Sequence, residues 1–378
     1  MYKIYSNRIV LSDEIVKGYI LVDEGKIKDI VRDQEPQEDG IDLTDKYILP
    51  GLVNLTSTEY SNEINAKENK YFSDKKVFHT MDKASAEAGV TTNFNLFSLE
   101  ELLKDQTVED AIEQLRKLKA IDYSTVLVDH KTHLLFRLGD KLSNKNLREM
   151  IINDVIDFIT CTGYFSKGTF NYQNQYMVQN MQQRYELNDA EASIIFERLT
   201  AIREEIALDE LSFRIKSAKS KHIPFASNRN ILIEKLLEEY KVRIKIISGE
   251  HTEETLNKIK EKDMFYGIEL VSLTKNQDII SLLEHFRNSK LKLVLSSSRP
   301  QDIISYIFEL EGYTGLFNAV NLFTKNPAQA AELDDRGEIA VGKKADFVVV
   351  EIIDDLPINT MTIKNGKIIV EYKYHKTS

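Results

Sequence analysis

The sequence predicts an α/β protein: a (β/α)8 TIM-like barrel over residues 49–335, with a small β-sandwich built from both termini, 1–48 and 336–378. Three observations carry this. Short apolar runs alternate with helical stretches through the middle of the chain, the pattern of a parallel sheet with helical crossovers. Those runs number eight, which suits a closed barrel rather than an open sheet. The two ends, finally, share one grammar of short strands joined by tight turns.

In chain order, 18–22 and 26–31 flank Asp23-Glu24-Gly25, a hairpin signal. The run Leu49-Pro50-Gly51-Leu52-Val53-Asn54-Leu55-Thr56-Ser57-Thr58 reads as the first barrel strand, an apolar stretch behind a Pro-Gly turn that ends in short polar residues. Further barrel strands are expected at 91–96, 132–138, 158–162, 224–227, 244–248, 266–271 and 291–296. The longest helical stretch starts near Asn188, with Glu191 as its capping-box partner, and extends to about Lys221. Ahead of it, 163–185 is polar and aromatic, an excursion placed where barrel enzymes build substrate loops. At the far end 344–350 is a strand, and 361–364 and 367–370 flank Asn365-Gly366, a type I′ pair.

Composition narrows the function classes. With 42% hydrophobic and 29% charged residues, the chain has ordinary globular make-up. Its longest apolar runs, such as Phe347-Val348-Val349-Val350, are strand-sized, so no membrane-spanning helix and no membrane partner are expected. Met1-Tyr2-Lys3-Ile4-Tyr5-Ser6 lacks the apolar stretch of a signal peptide, and the single Cys161 suits a reducing cytoplasm. A net charge of −10 argues against a broad nucleic-acid surface.

Several stretches resemble the amidohydrolase superfamily. Tyr47-Ile48-Leu49-Pro50-Gly51-Leu52 and Ala88-Gly89-Val90-Thr91-Thr92 resemble signals found across it. Thr324-Lys325-Asn326-Pro327-Ala328-Gln329-Ala330 and the run from Asp335-Arg336-Gly337 to Lys344-Ala345-Asp346 resemble its return into the sandwich. Tyr185-Glu186-Leu187-Asn188-Asp189-Ala190-Glu191 resembles one branch, the PhnM-type triphosphate diphosphatases of the phosphonate pathway. The Asn-Pro-Ala motif is expected to terminate a helix and the Gly-Lys-Lys-Ala-Asp turn to lead into a strand.

The resemblance implies a metal site at the strand C-terminal ends, where the family carries His-x-Asp, a bridging Glu, Asp-His, Ser-His-Asp-Asp and Ser-Ser-Asp. The matching residues here are Thr56 and Thr58, Arg137, Thr162-Gly163, Ser227-Asn228-Arg229-Asn230 and Ser296-Ser297-Ser298. Hydroxyls are poor substitutes for imidazole or carboxylate on a zinc-type ion. A catalytically degenerate protein with no metal and no cofactor is therefore the leading expectation. Arg137, Arg229 and Arg299 occupy or adjoin former ligand positions, and their guanidinium groups suit phosphate or carboxylate. With Asn228, Ser298, Thr56, Thr58, Lys167 and His133 they make up the candidate site for a small anionic or phosphorylated ligand.

The bland reading of these arginines is that they fill space or pair with nearby acids. His133 is read as a packing residue before a ligand, and His79, His222, His251 and His285 as solvated or capping. Cys161 is read as a small buried hydrophobe. Two alternatives stay open. One is an active hydrolase of phosphoric-anhydride, amide or ester bonds, using His133, Glu59 or Glu250 on one metal, or no metal. The other is a structural subunit partnered by an authentic homologue, and a homo-oligomer is equally open.

Overall fold

Residues 1–36, 39–60, 74–98, 108–121, 123–137, 147, 150–162, 182, 187–194, 216–228, 244–248, 253–270, 283, 286 and 291–374 are described by the computed structural model. Both ends of the chain enter one mixed sheet. From the N-terminal side come β1 (Tyr2–Val10), β2 (Ile15–Asp23), β3 (Lys26–Arg32), β4 (Gly40–Asp42) and β5 (Tyr47–Pro50). Eight further strands follow: β6 (Leu52–Ser57), β7 (Val90–Ser98), β8 (Asp129–Arg137), β9 (Phe158–Thr162), β10 (Phe225–Asn228), β11 (Ile244–Ser248), β12 (Phe265–Glu269) and β13 (Lys292–Ser296). The chain returns to the first sheet through β14 (Phe347–Ile353), β15 (Leu356–Lys364) and β16 (Lys367–Glu371).

The terminal sheet has the order β16-β15-β14-β5-β1-β2-β3, with β4 alongside β1. Strict alternation of buried and less buried residues along β2 turns Val16, Gly18, Ile20 and Val22 inward. They meet Ile4 and Ile9 from one end of the chain and Phe347, Val349, Met361 and Ile363 from the other, in a single core. Both expected hairpins are type I′: Glu24 and Gly25 take φ of 47° and 77°, Asn365 and Gly366 of 47° and 70°. The sheet folds over where Ile27 N–H donates to Lys343 O (2.9 Å) and Gly342 N–H to Ile27 O (2.8 Å).

The stretch expected as one strand at 49–58 is two strands serving different sheets. β5 pairs antiparallel with β14, whereas β6 pairs parallel with β7. Gly51 is the break. A Cβ there would lie 2.3 Å from Thr91 Oγ1, so only glycine lets the chain change sheets at this point.

The second sheet holds β6 to β13 in chain order, the parallel sheet of a nearly closed (β/α)8 barrel. Its strands agree with expectation within a few residues; β8 starts earlier than 132 and β12 ends before 271. Helices described over their whole length include α1 (Asp74–Glu87), α2 (Val108–Lys119), α3 (Glu253–Glu261), α4 (Ile303–Thr314), α5 (Leu316–Asn321) and α6 (Lys325–Ala330). The capping box forms: Asn188 Oδ1 accepts from Glu191 N–H and Glu191 Oε2 from Asn188 N–H, both at 3.0 Å. Residues 195–215 of the helix expected after it lie outside the described residues. Asn326-Pro327 opens α6 rather than ending a helix, because Pro is tolerated in a first turn.

The chain divides into two compact units: 1–96, 122–131 and 245–378 form one, and 97–121 with 132–244 the other. The first unit contains the barrel's seam, and no simple backbone ladder closes it. Leu322 O accepts from Leu295 N–H of β13 (3.0 Å), and Phe323 O from Val53 N–H of β6 (2.8 Å). Above them the buried Asn54 side chain imitates a peptide group. Its Oδ1 accepts from Ser297 N–H (3.0 Å), and its Nδ2 donates to Ser297 O (2.9 Å) and to Asn93 Oδ1 (3.2 Å).

The same unit ties its barrel strands to the terminal sheet with charge. Asp129, the first residue of β8, accepts from Lys364 Nζ (2.5 Å) and Arg336 NH1 (2.6 Å), with Lys344 Nζ at 3.4 Å. Arg336 also grips Asp335 through two nitrogens and donates to Thr92 Oγ1 at 2.7 Å. Burial by itself would raise the Asp129 carboxyl. Lys364, Arg336 and Lys344 outweigh it and hold the group well below the usual range. Asp335 is opposed by burial in the same way and lowered to about 2 by Arg336 and Lys344.

Candidate functional site

In (β/α)8 proteins chemistry sits at the C-terminal ends of the strands. In the first unit those ends carry hydroxyls. β6 runs out through Thr56 and Ser57 to Thr58, and β13 through Ser296 to Ser297 and Ser298. A bulge lies between Asn54, which faces Asn93, and Ser57, which faces Asn95. Strict alternation fails there, so Asn54 and Ser57 share a face although three positions apart. Ser57 Oγ, Asn93 Nδ2 and Asn95 Oδ1 are buried on it without a hydrogen-bond partner.

After β13 the chain turns on Ser297. Its hydroxyl donates to Arg299 O and accepts from Arg299 N–H at 3.1 Å, which leaves the Arg299 side chain exposed. Glu59, just beyond Thr58, accepts from Gln301 Nε2 at 2.8 Å. The sequence-predicted Thr56, Thr58, Ser298 and Arg299 are thus borne on the ends of β6 and β13, which the Asn54 side chain links, with Thr56, Thr58 and Ser298 partly buried.

In the second unit the ladder sets Arg137 of β8 beside Thr162 of β9, and Thr162 beside Asn228 of β10. The backbone brings these three strand ends to one level; the side chains of Arg137 and Asn228 lie outside the described residues, as do Arg229 and Lys167 entirely. His133 lies lower on β8. Its Nε2 is 2.7 Å from Thr160 Oγ1 and its ring stands edge-on to Phe158, so it is buried in strand-to-strand packing. His79 is exposed on α1, and His222 is exposed in a turn with φ of 55°. His251, His285 and Glu250 lie outside the described residues. Cys161 is buried, and burial pushes its thiol up to about 12, so it is not a nucleophile.

A buried constellation escapes sequence reasoning. Asp82 on α1 accepts from Leu127 and Val128 N–H, and its Oδ1 lies 3.0 Å from His130 Nε2. On the other side of the ring, His130 Nδ1 lies 3.3 Å from Asn95 Nδ2. Burial lowers the imidazole against the pull of Asp82. Asp82 itself is lowered, since the His130 and backbone hydrogen bonds outweigh its burial. The consistent assignment is a carboxylate, a neutral ring donating from Nε2, and Asn95 donating to Nδ1. We predict that the His130 carbon resonances titrate at lower pH than those of an exposed histidine, followed by NMR. No local pattern points to it, because the partner of His130 on α1 is 48 residues away.

These positions bear on a metal. Thr56, Thr58 and Ser298 are neutral hydroxyls, and a divalent zinc-type ion needs imidazole or carboxylate to balance its charge. These three hydroxyls by themselves do not fit such an ion. Among the described residues, no group of three or more His, Cys, Asp and Glu gathers as a cage.

The chain's relationships agree with this architecture. An amidohydrolase family model matches residues 299–370. The α-D-ribose 1-methylphosphonate 5-triphosphate diphosphatase of Escherichia coli (strain K12) is 21% identical over 355 residues, covering 90% of this chain and 93% of that protein. An adenine deaminase of Clostridium perfringens (strain 13 / Type A) is 24% identical over 94% of this chain, which spans 56% of that relative's length. The fold of Klebsiella pneumoniae 5-methylcytosine deaminase, liganded with phosphonocytosine, superposes with a TM-score of 0.65 at 12% identity, covering all of both chains. The chain thus has the fold of the amidohydrolase proteins it resembles, a parallel barrel with a sheet made from both termini, and an amidohydrolase family match over the return between them.

Proposed function

We infer that this is a catalytically degenerate, PhnM-like member of the superfamily, which binds a small anionic or phosphorylated ligand at its strand ends. The donor chemistry of β6 and β13 carries the reading. Thr56, Thr58 and Ser298 offer hydroxyls, which donate hydrogen bonds to an anion readily but hold a dication poorly. Arg299, whose side chain is exposed beside Ser298, adds a planar cation suited to phosphate.

Purified protein grown with zinc, manganese and iron is expected to carry well below one equivalent of metal. Calorimetry should detect phosphate or diphosphate binding, weakened roughly tenfold by Arg299→Ala, a loss of about 1.4 kcal/mol. Stoichiometric metal, together with chelator-sensitive turnover of a ribose 5-triphosphate or of adenine, would overturn the reading in favour of an active hydrolase. Failure to bind any anion would remove the ligand half of it.

A further inference from the structure

The terminal sheet has two outer strands, and β3 is bridged by the 342–345 segment, including a backbone bridge between Lys26 and Lys344. Among the described residues, β16 forms the other edge. Its register on β15 sets Thr362 opposite Val370 and Met361 opposite Glu371, and Tyr372 N–H continues the ladder to Thr360 O at 2.8 Å. In an antiparallel ladder, residues alternate between hydrogen-bonding inward and outward. Val370 and Tyr372 therefore spend their backbone groups on β15, and Glu371 and Lys373 turn theirs away from it. The same alternation separates the side chains: Val370, Tyr372 and Tyr374 share one face, and Glu371 and Lys373 the other. Tyr372 and Tyr374 are 41% and 54% exposed, more apolar surface than a solvated strand end needs.

From this geometry we propose that the 370–374 edge pairs antiparallel with the same edge of a second copy across a two-fold axis at Tyr372. In that register Glu371 faces the partner's Lys373 and Lys373 faces the partner's Glu371, each pair exchanging the backbone bonds that point outward. Within one copy these two side chains already lie 3.4 Å apart, so the charges meet with little rearrangement. On the opposite face Tyr372 meets the partner's Tyr372, and Val370 meets the partner's Tyr374. Charge selects the register. Sliding by two residues sets Glu371 against the partner's Glu371 one way, or Lys373 against the partner's Lys373 the other, and like charges directly opposite destabilise a strand pair. Charged edges ordinarily keep strands apart; this one admits a single alignment. Such a closed, isologous contact stops at a dimer.

Sedimentation of the full chain at low salt is expected to show a concentration-dependent monomer–dimer equilibrium that weakens as salt rises. Glu371→Lys and Lys373→Glu should each give monomer, with thermal melts unchanged because both side chains are exposed. Mixing the two single variants should restore a dimer, since one then presents two lysines to the other's two glutamates, and the double variant should dimerise with itself. A monomer at every concentration, or a dimer indifferent to both reversals, would overturn the proposal.

Discussion

Replacing Asp129 with Asn is expected to cost about 3–4 kcal/mol of unfolding free energy, the scale for removing one partner from a buried ion cluster. Lys364 and Arg336 are nearly buried around that carboxylate, at 9% and 7% side-chain exposure, and would lose their shared anion. Urea denaturation of the wild type and D129N measures the difference. A double variant, D129L with K364M, should recover part of the loss, because it removes the stranded charge together with its partner. Equal losses in single and double variants would show that packing at Asp129, rather than charge, carries the effect.

The same cluster sets an acid limit. Asp129 and Asp335 titrate below their unfolded values, so each contributes stability that is complete above about pH 4 and fades as the pH falls through the folded value. For Asp335 that window closes near its folded value of about 2. Asp346 works in the opposite sense. Burial raises its carboxyl, with one oxygen held by Asn365 N–H at 2.7 Å, so its contribution is greatest in acid and declines as the pH rises. D129N should therefore flatten the acid limb of the stability curve more than it lowers the plateau's slope above neutrality.

Asn54→Ala should cost about 3 kcal/mol. It deletes three hydrogen bonds and leaves the buried Ser297 N–H and C=O without partners, each a penalty of about 1–3 kcal/mol. The effect should reach beyond stability. Ser297 also holds the turn that presents Ser298 and Arg299, so hydrogen exchange is expected to rise at 296–300 in this variant before the rest of the chain opens. Asn54→Asp should not rescue it near neutral pH. A carboxylate can still accept from Ser297 N–H, but it sets a second acceptor against Ser297 O and Asn93 Oδ1. A melt of N54A that matches the wild type would mean that the seam is held by the Leu322 and Phe323 carbonyls without this side chain.

What could be read in advance is what neighbours in sequence decide. The Asn365-Gly366 turn was legible because those residue types relieve the positive φ that a tight hairpin imposes. The Asn188–Glu191 box was legible because its two bonds span three residues. The strand ends were legible as types, hydroxyl at 56, 58 and 298, but the face each presents was not. A bulge between Asn54 and Ser57 overrides the alternation from which facing is inferred.

By itself, then, the sequence determined most of the described strands, the hairpin turns and the chemical character of the strand ends, but not the change of sheet at Gly51. All of these follow from backbone preference and from the period at which apolar residues recur. Only the tertiary structure decided which polar groups meet: Asn54 with Ser297, 243 positions apart, Arg336 with Asp129 across 207, and Asp82 with His130 across 48. Buried polar groups must find partners wherever the fold delivers them, and those distances are set by the closing of the sheets, which no local pattern along the chain encodes.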